Sequence, residues 1–502
     1  MHDRRHHRPC VALASALLVA VLLPAPARAD DEPLLQRTPA ELRLGFERIK
    51  LPNDEHMGLV GLTYLLEPAY GWQIGPSVFG AATGQRGGFF VPGIETDWNT
   101  RLWGPLGLQI GAFVGGGGGG NAPVGSGLML RPQATLWWDF KGYHVGLSAS
   151  HVKFPDGQIS SSQFGLTISS DTEFTYTGLG PRGESSTRGS GAEGLGFDRV
   201  LVVGGVYSPR DGSVGVSGAA LKRRIGYAGA RADRFFAPWG YVGIEAAGAA
   251  SGGVAGYAEW LATLGFEVPV AGNTFTLGGR VAAGLAGGGD IPTGGGFFTK
   301  IAADAGLRLS RNLSLNLEGG VARAPRGGYT ARFVSGSLRW DLQGNPFTPA
   351  GEAVRQEWTG GIETYRNAAR RSGPARSLQN VVFKLNRYIV GDTLYLTGQA
   401  HSAYQGGAGA FSVGLLGAGV RWPLGNRFHV GAELLAGAAG GGGVATGGGA
   451  ITQPMAYAGV AITPTLSAQI GAGRVRTIRG DGGLDSTVVD LTLNFSFGVA
   501  NR

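Results

Sequence analysis

Three features of this sequence predict an all-β chain that crosses a membrane as a closed antiparallel sheet. Glycine fills 92 of 502 positions while charged residues make up only 16%. The chain opens with a stretch that has the anatomy of an export signal. Long segments of alternating apolar and polar residues then recur to the C-terminus, with no helical pattern between them.

The composition excludes several classes. Apolar residues stay at 43%, whereas disordered chains are short of them and rich in charge. Glycine does not recur at every third position, as a collagen triple helix demands. In a helical bundle each interior glycine costs roughly 1 kcal/mol relative to alanine. Glycine suits turns, bulges and close backbone approach, so the composition favours an unusual β protein.

Residues 1–10, MHDRRHHRPC, are basic, and VALASALLVAVLLPAPA follows as an apolar core. Ala27-Arg28-Ala29 supplies a small-x-small site before Asp30-Asp31. This three-part pattern predicts a signal peptide, residues 1–29, cleaved after Ala29. A membrane anchor is the poorer reading, because the apolar run falls short of the ~20 residues a spanning helix needs. Cys10 is the only cysteine and leaves with the leader, so no disulfide, thiolate metal site or thiol nucleophile is expected. The leader also removes Arg4, Arg5, Arg8 and Arg28 against Asp3, reducing a formal charge of +8 to a weak bias. No clustered basic face argues for nucleic acid. No later segment offers the long apolar run of a transmembrane helix.

The last segment carries the clearest period. Val489, Leu491, Leu493, Phe495, Phe497 and Val499 fall on one face; Asp490, Thr492, Asn494, Ser496 and Gly498 fall on the other. This is the length and alternation of a membrane-spanning strand. The same alternation runs through Leu313–Glu318, Gly336–Leu342, Phe428–Leu434 and Ala134–Phe140. A soluble β-sandwich also alternates, but its strands are usually five or six residues long. A sheet can span a bilayer only by closing on itself, since every backbone group needs a partner there.

In this pattern, over nearly all of residues 40–500, the chain resembles the bacterial outer-membrane β-barrel proteins, porin-like ones included. The resemblance implies an outer-membrane location, contact with outer-membrane lipid and insertion by the outer-membrane assembly machinery. Leu491, Leu493, Phe495 and Phe497 resemble the C-terminal strand that this machinery recognises. The family usually ends on the aromatic residue, whereas here Gly498–Arg502 follow.

The chain also repeats itself. The segment Gly287-Gly288-Gly289-Asp290-Ile291-Pro292-Thr293-Gly294 matches Gly440-Gly441-Gly442-Gly443-Val444-Ala445-Thr446-Gly447, and Gly115–Gly125 forms a third copy. Aligning Gly294 with Gly447 carries Leu313, Leu315 and Leu317 onto Leu466, Ala468 and Ile470 without a gap. Tight turns follow at Lys141-Gly142, Arg311-Asn312 and Pro464-Thr465. The units run over residues 40–172, 198–342 and 357–500, joined by the low-complexity stretch 179–196 and by 343–356. Roughly eight strands per unit give an up-and-down barrel of about 24 strands, within 22–26, since membrane barrels favour even numbers. Three separate eight-stranded barrels are the alternative; one large sheet is preferred because closure leaves no edges. With both termini periplasmic, the glycine loops lie outside the cell.

Enzymatic signatures are missing. No glycine run is followed by Gly-Lys-Ser/Thr, so phosphate cradling is not indicated. His-Glu-x-x-His and Gly-x-Ser-x-Gly are absent. His144 and His151 fall on opposite faces of one strand and cannot share a metal. No catalytic, cofactor or metal residue is assigned. The inward faces carry Glu318, Arg339, Asp341, Glu433, Asp490 and Asn494, read as a hydrated, mixed-sign lumen wall. Trp137, Trp138, Tyr143, Trp239, Tyr241, Trp340 and Trp422 lie near strand ends, as interfacial girdles require. The expected function is a passive channel or export conduit for polar solutes or a polymer. A surface structural or adhesive protein, whose glycine loops meet a surface or envelope partner, is the second reading. A barrel-rim hydrolase is the third.

Overall fold

The computed structural model describes residues 35–177, 179, 194–349, 352–478 and 483–501. The expected signal peptide and most of the 179–196 joint lie outside the described residues. Where described, the chain is strand after strand, 25 segments in all, with one 3-10 turn at Pro52–Asp54. Among the described residues no helix is long and apolar enough to cross a membrane.

Alternation sets the faces. In the strand Tyr143–Lys153, Tyr143, Val145 and Leu147 are exposed outward while His144, Ser148 and Ser150 are buried inward. Neighbouring strands repeat the alternation, so apolar side chains form the outer wall, while the interior takes polar side chains and, toward one end, an apolar cluster.

The strands close into three rings rather than one. Strand Leu35–Lys50 pairs with His56–Ala69 on one side and with Ser160–Thr177 on the other, closing the first ring. Arg199–Pro209 pairs with Ile225–Ala237 and Tyr329–Asp341, closing the second. Ala353–Ala368 pairs with Arg376–Val390 and Asp485–Ala500, closing the third. Among the described residues, Gly498↔Thr177 alone continues the ladder from the first ring to the third. The sixth strand of the third ring is broken into Ala450–Thr452 and Met455–Ala461, both set between Phe428–Gly440 and Leu466–Thr477. Pro454 sits in the gap, where it has no N–H to give a ladder.

The single ring of about 24 strands expected from the sequence is thus corrected. The edge argument behind it does not discriminate, because a small ring abolishes edges as fully as a large one. Interior size decides instead. Eight strands leave a bore that side chains alone can fill, and large inward residues such as Tyr207, Tyr241, Tyr365, Tyr395 and Phe113 fill it.

Each ring has two ends. Short turns such as 104–105, 140–142 and 238–239 lie at one; the longer connections, including all three glycine runs, lie at the other. Trp138, Tyr143, Trp239 and Trp422 face outward at the short-turn end, as a girdle would. Trp137 and Tyr241 are corrected, being buried inside their rings. An apolar cluster fills each ring toward the loop end.

Candidate functional site

Below those apolar clusters, each ring holds a belt of charged and amide side chains cut off from water. The period-two pattern puts these residues inside, and a filled bore then demands that each charge find a partner. In the first ring Arg43 donates to Glu95, Asp97 and Gln109, at 2.7 Å for Asp97. Arg131 grips Glu47 with two bonds of 2.9 and 2.8 Å. In the second ring Lys300 lies 2.7 Å from Glu245 and 2.6 Å from Glu259. Tyr207 and Tyr257 each donate to Glu259 at 2.7 Å. Arg199 bridges Asp233 and Glu267 at 2.9 and 2.5 Å. In the third ring Lys384 pairs with Asp490 at 2.9 Å, and His401 Nδ1 lies 2.9 Å from Glu363.

The six residues expected on a common lumen wall are divided between two rings. Glu318 accepts from Arg280 at 2.7 and 2.8 Å and from Arg231 at 3.1 Å. Arg339 lies 3.3 Å from Glu267 and 3.4 Å from Asp341, both in the second ring. In the third ring Glu433 accepts from Tyr395 and Gln399, each at 3.0 Å. Asp490 holds Lys384, and Asn494 accepts from Thr359 at 2.6 Å while donating to Ser467 at 3.3 Å. Glu318, Arg339, Glu433, Asp490 and Asn494 are all buried; Asp341 is partly so. The hydrated lumen wall is therefore corrected to closed ionic belts. Sequence reading missed Arg43, Arg131, Lys300 and His401, although the spacings Glu95-x-Asp97, Arg231-x-Asp233 and Gln399-x-His401 place such pairs on one face.

Of the last-strand residues, Leu491 faces outward, whereas Phe497 is fully buried. Phe497 lies 5.2 Å from Phe174 and 5.5 Å from Trp358, ring centre to ring centre, in a seam between the first and third rings. The strand closes on the first strand of its own ring, not on Leu35–Lys50.

The glycine loops join the rings. Gly125, Gly294 and Gly447 share φ of 60°, 60° and 57°, and Gly127, Gly296 and Gly449 share 97°, 104° and 98°. The loop before the fourth strand of each ring is equally matched: Ala81, Ala249 and Ala403 donate to the carbonyls of Phe89, Tyr257 and Phe411, each at 3.0 Å. That loop of one ring sits on the glycine loop of the next. Gly87 donates to Gly294 O at 2.8 Å, and Gly409 donates to Gly125 O at 3.2 Å. Between the second and third rings, a Cβ on Gly440 would fall 2.1 Å from Gly256 N. Backbones this close leave no room for side chains, which is where glycine is required. Val444 and Ile291 are buried at the loop centres, so these loops are packed joints rather than flexible tethers.

The shortest serine–histidine contact among the described residues is Ser162 Oγ to His151 Nδ1 at 2.7 Å, where Ser160 Oγ rather than a carboxylate faces Nε2, at 3.4 Å; that imidazole lacks the orienting third group of a triad. Ser169 Oγ lies 3.3 Å from His144 Nδ1, with Asp139 and Asp171 at 3.7 and 3.6 Å from Nε2, but Ser169 and His144 are both buried and their contact exceeds the ~2.6–3.2 Å of a working pair.

No protein-family model and no curated protein matches the chain. Solved structures that resemble it include the ferric enterobactin receptor of Pseudomonas aeruginosa, 11% identical, covering 92% of this chain and 81% of that one at a TM-score of 0.28. The siderophore receptor PirA from Acinetobacter baumannii is 11% identical, with coverage of 92% and 80% and a TM-score of 0.27. OpdK of Pseudomonas aeruginosa, solved with vanillate, is 10% identical, with coverage of 92% and 98% and a TM-score of 0.20. At these scores the likeness carries no argument about mechanism.

Proposed function

We propose that this protein is a non-enzymatic, integral outer-membrane scaffold: three closed barrels fused into one platform whose loop end meets a surface or envelope partner. The sealed interior supports this reading above all. Lys300, Glu245 and Glu259 sit at 0–2% exposure at the heart of the second ring, where a water-filled conduit would solvate them. The outer wall supports membrane insertion, with Leu147, Leu166, Ile168, Ile301, Leu317 and Leu434 each more than half exposed. Leader cleavage after Ala29, insertion by the assembly machinery and a threefold internal duplication belong to the same proposal.

The scaffold thereby moves ahead of the wide conduit, whose premise was a single large ring. Planar-bilayer recording of the purified, heat-modifiable protein tests it. The scaffold gives no large stepwise conductance; large steady steps would overturn it. A narrow channel through the individual rings is the second reading, favoured by the charged and amide side chains inside them. It would register as small, brief openings in the same recording.

A further inference from the structure

On the outer wall of the second ring, near the loop end, lies a groove of about 280 Å³ lined by Val206, Ser208, Arg224, Arg332, Phe333 and Val334. Arg332 is in register with Ser208, and Arg224 precedes Ile225, the partner of Tyr207. Both arginines are exposed, and among the described residues neither is within ion-pair distance of a carboxylate. Lys222, Arg223, Arg210 and Arg323 extend the positive rim, against Asp211 within the 210–224 connection and Asp290, which accepts from Ser217 at 2.7 Å.

Below the arginines an apolar track descends the wall. Val206 is in register with Val334, Gly204 with Gly336, and Val202 with Leu338. The four apolar side chains are exposed at 39%, 58%, 53% and 47%. Nothing lies within 4 Å of a Cβ placed on Gly204, so the glycine pair forms the floor of a trough. From Ser208 to Val202 the track runs about 20 Å at strand rise, much of the length of an acyl chain.

We propose that this groove holds a phosphate-bearing lipid, its phosphate between Arg224 and Arg332 and one acyl chain along the glycine track. Guanidinium forks suit phosphate oxygens, and an apolar trough directly below suits a tail rather than a free anion. The inference rests on the membrane-spanning reading of the rings.

The test is native mass spectrometry of the full chain, first shown to be heat-modifiable and to enter vesicles, then incubated with dipalmitoyl phosphatidic acid or dipalmitoyl phosphatidylcholine. The wild type should retain phosphatidic acid selectively. Arg224→Gln with Arg332→Gln should lower that retention roughly 25-fold, since each surface cation contributes about a fivefold factor and the two multiply. Gly204→Val with Gly336→Val should lower it too, by filling the trough while keeping the charges. Arg366→Gln with Arg376→Gln, an equal charge loss on the third ring, should leave it unchanged. An equal fall in that control, equal retention of both lipids, or displacement by millimolar inorganic phosphate would overturn the groove. Failure of the chain to enter vesicles would instead overturn the membrane reading, and the groove with it.

Discussion

Replacing Lys300 with methionine removes the cation that two carboxylates share. Its Nζ lies 2.7 Å from Glu245 and 2.6 Å from Glu259, and the ammonium also faces the rings of Tyr207, Tyr227 and Phe333 at 5.2, 4.9 and 5.3 Å. Methionine restores most of the packing, so the loss is electrostatic. Glu245 keeps Arg280 at 2.7 Å, whereas Glu259 retains only the two tyrosine hydroxyls. An uncompensated buried carboxylate costs about 3–5 kcal/mol. Adding Glu259→Gln removes that charge and should recover at least half the loss, an interaction expected of residues in direct contact. The assay is urea unfolding of the refolded protein in detergent, followed by tryptophan fluorescence. A Lys300→Met loss under about 1 kcal/mol, the size of an exposed pair, would refute the sealed-belt reasoning. So would a double variant no more stable than the single.

Other outcomes follow from the same structure. Gly440→Val should open the joint between the second and third rings, since its Cβ has only 2.1 Å to the Gly256 nitrogen, while Gly204→Ala, with open space, should be neutral. Limited proteolysis of the loop end reports both. Phe497→Ala should cost about 3–5 kcal/mol, as large aromatic truncations in a core do. Combined with Phe174→Ala it should cost less than the sum, because the two rings touch. A peptide tag after Val444 should abolish heat-modifiable protein, since Val444 is fully buried and bridged to Arg370. The same tag after Gly212, in the exposed 210–224 connection, should be tolerated and bind antibody on intact cells.

The strands were legible because alternation is a local property: Val489–Val499 and Leu313–Glu318 declare their faces without reference to anything distant. The kinship of the glycine loops was legible too: Gly125, Gly294 and Gly447 correspond in sequence and share the same positive φ. Closure was not, because whether Leu35–Lys50 meets Ser160–Thr177 or Asp485–Ala500 depends on pairing between segments far apart in sequence. A clue did exist. Arg43, Glu47, Glu95, Asp97 and Arg131 lie in one unit, and Arg199, Glu245, Glu259 and Lys300 in the next, so each belt finds its opposite charges within its own unit, as separately filled interiors need. The girdle reading failed at Trp137 and Tyr241 because proximity to a strand end does not say which face a residue takes. The packing of the glycine loops was not legible, because composition alone cannot show a backbone packed against another backbone.

The pairing that closes the first ring is the most direct test of this account. Leu44 and Ile168 face each other in register across its closing strands, and both point outward. With Cys10, the only cysteine of the sequence, replaced by serine no native thiol interferes, so Leu44→Cys with Ile168→Cys can be oxidised and read by its altered mobility on a denaturing gel. Three separate rings predict a quantitative disulfide for that pair and none for Leu44→Cys with Leu491→Cys. A chain that leaves the first pair reduced and cross-links the second would be a single large barrel.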